Sequence, residues 1–356
     1  GARAGGARRG VSVLDVRGRG ALAPASALPL AYFAFAHLSL AAGLAVLAAS
    51  PDLPGAFFYH PKMIAVVHLL TLGWITGSIL GAFHVIAPLG LVMAMPTGWR
   101  DWAGFASFVI GAAGMIAHFW IGTYDGMAWS AGLVMLTIAH LAWRAARGLR
   151  QAPLPGAIVL HIAFAFFNIA VAGALGILIG LDRTRGFLAL PPVAATLAHA
   201  HLAAIGWAMM MAIGLSYRLM PMMLPAVMPK GRALYASALL IETGLALLVA
   251  ALFTGWAIVP LAAACLIAGL AAFVRQMMRT ALRRLPRPPA LPMRDWSIWQ
   301  VHAAFLWLLI AAVLGWILGR DGAGARPALA WVYGTAGLLG FLAQLITGMY
   351  GRLAPF

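Results

Sequence analysis

Ten long apolar runs dominate this chain, and their length decides what it can fold into. They lie near residues 26–49, 63–88, 102–121, 127–146, 156–181, 192–220, 233–253, 255–274, 296–318 and 327–350. A bilayer core about 30 Å thick is crossed by roughly 20 apolar residues in a helix, and each run meets that length. Membrane strands need about ten residues in strict alternation; these runs are longer and apolar on most faces. Only Gly122 to Gly126 separate the third run from the fourth, so that pair is expected to form a tight hairpin. Charged residues make up 9% of the 356 against 63% hydrophobic, too few to cover the surface of a soluble globule. The expected fold is all-α: a polytopic membrane helix bundle of about ten transmembrane helices, with the lipid bilayer as its solvent.

The net charge of +16 invites a nucleic-acid reading, but position argues against one. Nineteen of the Lys and Arg residues fall in the N-terminal tail, around the even-numbered connections and at the C-terminal end; the other connections hold 5. Cations flanking spans set orientation, and this bias puts both termini in the cytoplasm of a multi-pass inner-membrane protein. The largest block, Arg275 to Arg294 with Arg279, Arg283, Arg284 and Arg287, reads as a Pro-rich loop touching anionic lipid headgroups. Residues 1–25 are rich in Gly, Ala and Arg and read as a flexible basic tail. They lack the apolar core and small-residue cleavage site of a signal peptide. Residues 26–356 then form a single transmembrane domain. Cys265, the one cysteine, sits inside the eighth run and belongs to neither a disulfide framework nor a thiolate motif.

An internal repeat orders the runs. His68 to Pro88 reads HLLTLGWITGSILGAFHVIAP, and His201 to Pro221 reads HLAAIGWAMMMAIGLSYRLMP. Without a gap, His68 matches His201, Gly73 matches Gly206, Trp74 matches Trp207, Gly81 matches Gly214 and Pro88 matches Pro221. Run ten continues the register more weakly through Thr335, Gly340, Phe341, Gly348 and Pro355. The chain therefore reads as repeated four-helix units over about 26–150 and 156–285, with a partial unit over 296–356. A complete third unit would need two more helices, so the chain is either a fragment or ends in a half unit. Gly73, Gly77 and Gly81 form a small-residue ladder for close helix packing, on the face opposite His68 by the rotation of about 100° per residue.

Nine of the ten histidines lie within or at the margins of the runs: His37, His68, His84, His118, His140, His161, His199, His201 and His302. Polar side chains are costly in hydrocarbon and mark function there. Carboxylates show the opposite pattern, with Glu242 alone clearly mid-helix. Imidazole without thiolate or carboxylate suits haem iron and copper. With the N-terminus inside, His68, His199 and His201 share one depth near the outer face, making them the candidate cofactor ligands. His199 and His201 are about 200° apart around the helix, so they face opposite ways. His118 lies at similar depth as a weaker candidate. His84 is about 24 Å along the helix from His68 and cannot share its site. With His161, His302 and His140 it offers the makings of a second, inner metal site; His161 and His302 look equivalent in the repeat. The methionines around Met209 and Met220 read as flexible apolar filler.

The pattern HxH-x4-G-aromatic-x6-G-x6-P on a membrane helix resembles the haem–copper oxidase subunit I superfamily, and most of all its NnrS-type haem- and copper-containing membrane proteins. The resemblance implies an oxidase subunit I-like arrangement of four-helix units about a pseudo-threefold axis. It matches His199 and His201 to the family's HxH motif and His68 to its lone helical histidine. It implies b-type haem, with copper as a second metal, and a role in electron transfer or in handling nitric oxide or oxygen, with a redox partner protein or a small gas molecule as partner. The sequence departs from oxidases in having no His-His dipeptide, no apparent His–Tyr copper motif, and Thr335 where run ten might carry a histidine. Whether the chain is an enzyme is left open. The rival reading is a transporter or channel without haem, since internal repeats occur there too. An oxidase or nitric oxide reductase subunit and a purely structural membrane subunit are the remaining alternatives.

Overall fold

The computed structural model describes residues 27–55, 59–286, 296–321 and 326–353. Every regular element among them is a helix, and the one isolated bridge pairs Ala226 with Arg284. Ten long helices follow the ten apolar runs: α1 Ala27–Ala49, α2 Pro61–Leu89, α3 Trp99–Ile121, α4 Met127–Leu149, α5 Gly156–Arg185, α6 Pro192–Met223, α7 Ala233–Thr254, α8 Val259–Leu282, α9 Trp296–Asp321 and α10 Pro327–Gly351. Nine are long and apolar enough to cross a membrane; α4 is not among them. Its 23 residues include Ser130, Thr137, His140, Arg144 and Arg147, which lower its hydropathy although its length suffices. The protein is a multi-pass membrane helix bundle.

The eighth helix continues through Arg275 and Arg279 to Leu282, because Ala, Gln, Met and Arg there are all good helix formers. The expected Pro-rich loop is shorter by that much, and its Arg287 and Arg294 lie outside the described residues, as do the basic tail at 1–25 and Pro355. The hairpin between α3 and α4 closes at Gly122, whose φ of 73° is a left-handed helix end that glycine adopts without strain.

Helices α2 and α6 form the centre. In them 61% and 56% of the apolar window is buried, against 22–39% in the others. Each is α-helical up to a histidine, then widens into a π-helix: Leu69–Thr76 after His68, and Leu202–Met209 after His201. A third π segment, Ala336–Leu342, follows Thr335 in α10. The three segments fall at the same register of the repeat. Such wide turns are rare and concentrate at functional sites.

Glycine packing repeats in the same register. A Cβ on Gly73, Gly206 or Gly340 would lie 2.5–2.6 Å from the side chains of Ser39, Asn168 and Trp307 respectively. One on Gly81, Gly214 or Gly348 would lie 2.7–3.0 Å from those of Tyr32, His161 and Gln300. The second helix of each unit thus lies backbone-close on the first, with glycine as the residue that admits the neighbour's side chain. The counterpart of His161 is therefore Gln300, and the sequence pairing of His161 with His302 is two residues out of register. The centre is tied together by Trp207 Nε1, which donates to Thr76 Oγ1 at 3.3 Å between α6 and α2.

Candidate functional site

Histidine side chains late in the first segments of α2 and α6 meet across the bundle. The rings of His68 and His199 are 6.3 Å apart between centroids, with planes 22° from parallel. Both have a fixed tautomer. His68 Nδ1 donates to the carbonyl of Ile64 one turn back (2.8 Å), and His199 Nδ1 donates across to the carbonyl of Ala172 on α5 (2.8 Å). A carbonyl only accepts, so Nδ1 carries the proton in each ring and Nε2 presents a lone pair. Neither Nε2 has a hydrogen-bond partner among the described residues. An Nδ1–H held by a carbonyl is the outer-shell arrangement that orients a metal-ligating imidazole and raises its basicity.

His201 faces the other way, as its 200° offset requires. Its Nδ1 donates to Leu197 O (2.7 Å), and its Nε2 accepts from the hydroxyl of Tyr333 on α10 (3.2 Å), the two rings stacking at 5.9 Å. Both its nitrogens are engaged. Tyr333 occupies in the third unit the register that His199 occupies in the second, so the HxH of α6 has a tyrosine counterpart on α10. The repeat spacing carries His201 onto Thr335 and His199 onto Tyr333.

The walls of the His68–His199 pair are apolar. Phe119 of α3 lies 4.6 Å from the His68 ring, in a cluster with Ala65, Met127 and Ala131. On α5, Gly173 and Gly176 open a groove that receives Met135 and His199. His68, His199 and His201 are each partly buried. Near one end of this region Arg183 lies over the rings of Tyr59 (4.0 Å) and Tyr124 (4.8 Å) and donates to the Tyr124 hydroxyl. Burial raises the Tyr124 phenol above its ordinary value, while the Arg183 charge pulls it down.

The remaining histidines have partners of their own. His118 Nδ1 donates to Thr123 O (3.2 Å) at the α3–α4 turn. His84 is buried, donates to Leu80 O (2.9 Å) and stacks on Tyr32 at 5.8 Å. His140 Nε2 is 3.0 Å from Asp101, which also receives Arg144 and the N–H of Gly98. His161, fully buried, donates from Nδ1 to Ala157 O (2.7 Å) and meets Ser237 Oγ at 3.0 Å; Tyr217 Oη lies 2.9 Å from the same hydroxyl. His302 is exposed on α9 beside Trp299, and His37 is exposed beside Tyr350. Among the described residues no group of three or more His, Cys, Asp or Glu is placed to hold a metal ion. His84 lies within electrostatic reach of the Asp101, His140 and Arg144 cluster, whereas His161 pairs with Ser237 and His302 stands beside Trp299.

No family model, curated protein or solved structure matches the chain. His68 and His199, each with an anchored Nδ1–H and an open Nε2, would be the residues to hold a metal cofactor, and a neutral imidazole donor pair would suit haem iron or copper.

Proposed function

We propose that this chain is a haem-binding protein of the bacterial inner membrane, belonging with the haem–copper oxidase-like superfamily and nearest its NnrS-type members. Its termini face the cytoplasm, and it serves electron transfer or the handling of nitric oxide or oxygen. The observation that carries the reading is the pairing of His68 and His199, two buried-region imidazoles with anchored Nδ1–H groups, open Nε2 atoms and a 6.3 Å separation. These two residues would hold b-type haem, which when bound supplies one-electron iron chemistry. Ile64 and Ala172 fix the ligand tautomers. Phe119 covers the His68 ring. His201 and Tyr333 form an adjoining hydrogen-bonded pair that can hold a proton at the tyrosine oxygen beside the imidazole.

The test is the pyridine haemochrome spectrum of the full chain purified from haem-replete cells. A Soret band, lost in His68→Ala and in His199→Ala, is the expected result. A colourless preparation overturns the reading and favours a transporter or channel. The same pair also suits a bare copper ion, because two neutral imidazoles make a sound copper site; metal analysis of a colourless preparation finding copper would favour that second reading.

A further inference from the structure

The far end of α6 carries a second constellation, on no path to the first. Arg218 lies 17 residues beyond His201, about 25 Å along the helix. There a cavity of about 630 Å³ opens between the starts of α5 and α7, lined by Pro153, Pro155, Arg218, Lys230, Arg232 and Tyr235 among others. That volume lies within the range of ligand pockets. Three cations line it, and no carboxylate does. Among the described residues none of the three cations forms an ion pair; the ion pairs there belong to Asp101.

Arg218 is half-buried, and its Nε donates to the carbonyl of Gly90 on the α2 side. That bond aims the guanidinium and leaves its four terminal N–H donors for a ligand. Pro155 and Arg232 precede the first residues of α5 and α7, so two helices direct the positive ends of their dipoles at the same space. Tyr235 overhangs the start of α5: a Cβ on Gly156 would sit 2.5 Å from its hydroxyl. Apolar walls of Pro153, Pro155 and Met228 lower the local dielectric and strengthen the field of the cations.

We propose that this cavity binds a phosphate-bearing anion, either the headgroup of an anionic lipid or free phosphate. Arginine forks match phosphate oxygens with paired hydrogen bonds, and basic pockets between membrane helices take phosphorylated headgroups. The assignment is independent of any cofactor at His68 and His199.

The test uses the full chain in nanodiscs of phosphatidylcholine and follows the thermal unfolding midpoint. Inorganic phosphate is titrated against chloride at matched ionic strength, and in a second arm phosphatidylglycerol replaces part of the bilayer. A rise with phosphate identifies the free anion; a rise with phosphatidylglycerol alone identifies the headgroup. In Lys230→Ala/Arg232→Ala, both exposed and outside the core, apparent affinity falls about tenfold or more. Arg100→Ala/Arg147→Ala, exposed cations outside the cavity, keeps the parent response. No shift with either probe overturns the proposal. So does an unchanged response in the Lys230/Arg232 variant, or an equal loss in both double variants, which would mark general charge attraction.

Discussion

Gly176 of α5 makes room for the ring of His199: a Cβ built there would lie 2.9 Å from Cε1 and 3.2 Å from Nδ1. The distance is short of ordinary contact, and the ring is held by the Ala172 carbonyl one turn away, so it cannot yield freely. Gly176→Val is expected to push His199 away from His68 and to abolish the Soret band, at an overpacking cost of about 1–3 kcal/mol. Gly132→Val, on α4 where an added Cβ meets nothing within 4 Å, keeps the band. Visible spectra beside far-ultraviolet circular dichroism of the two purified variants check this.

His199 and His201 differ in what their Nε2 atoms do. His201 Nε2 is spent on Tyr333, so under the proposed function His201→Phe is expected to retain a haem absorbance and His199→Phe to lose it. Tyr333→Phe removes one hydrogen bond at a cost of about 0.5–1.5 kcal/mol and leaves the haem content unchanged. Haem-to-protein ratios of the three variants decide the matter; equal loss in His201→Phe and His199→Phe would show that both histidines are ligands.

The helices were legible in the sequence because membrane spanning imposes length and apolarity together, and the ends of the runs fall close to the helix ends. The repeat was legible because Gly73, Gly81 and their counterparts are dictated by backbone contact, which tolerates no side chain. The π turns were not. Nothing in Leu69–Thr76 separates an i→i+5 ladder from an α-helix by propensity, and the rotation of about 100° per residue assumes the narrower turn. The partner of His68 was not legible either. Facing opposite ways follows from spacing, but which way depends on α5 and α10, through Ala172 and Tyr333. The basic cavity gathers Pro153, Arg218 and Lys230 from separate segments, a convergence that only the fold produces.

The two repeat-related tryptophans are unequal in their hydrogen bonds. Trp207 Nε1 donates to Thr76 Oγ1, whereas Trp74 Nε1 is buried without a partner among the described residues. The register maps Thr76 onto Met209 and Ala343, neither of which has a hydroxyl to accept from an indole. Trp207→Phe loses packing and leaves Thr76 unpaired; Trp74→Phe loses similar packing but removes an unpaired donor. Trp207→Phe is therefore expected to be the more destabilising by about 1–3 kcal/mol, read from unfolding midpoints in detergent. Equal midpoints would mean that the Thr76 bond contributes nothing.

Asp101 holds the α3–α4 hairpin from within. It is 7% exposed and accepts from the Gly98 N–H, His140 Nε2 and Arg144, while Arg144 also donates to Pro96 O at 2.8 Å. This is the role the structure gives to His140 and Arg144, two of the polar residues that lower the hydropathy of α4. Breaking a buried pair on one side leaves the other charge uncompensated, which costs about 3–5 kcal/mol. Asp101→Asn removes the charge but keeps an acceptor for Gly98, so its loss measures the pairing with Arg144 and His140 together. The expected result is a large fall in unfolding midpoint, partly recovered in Asp101→Asn/Arg144→Met, where neither charge remains. A double variant no more stable than Asp101→Asn would place the cost in the His140 bond, because then removing the orphaned guanidinium relieves nothing.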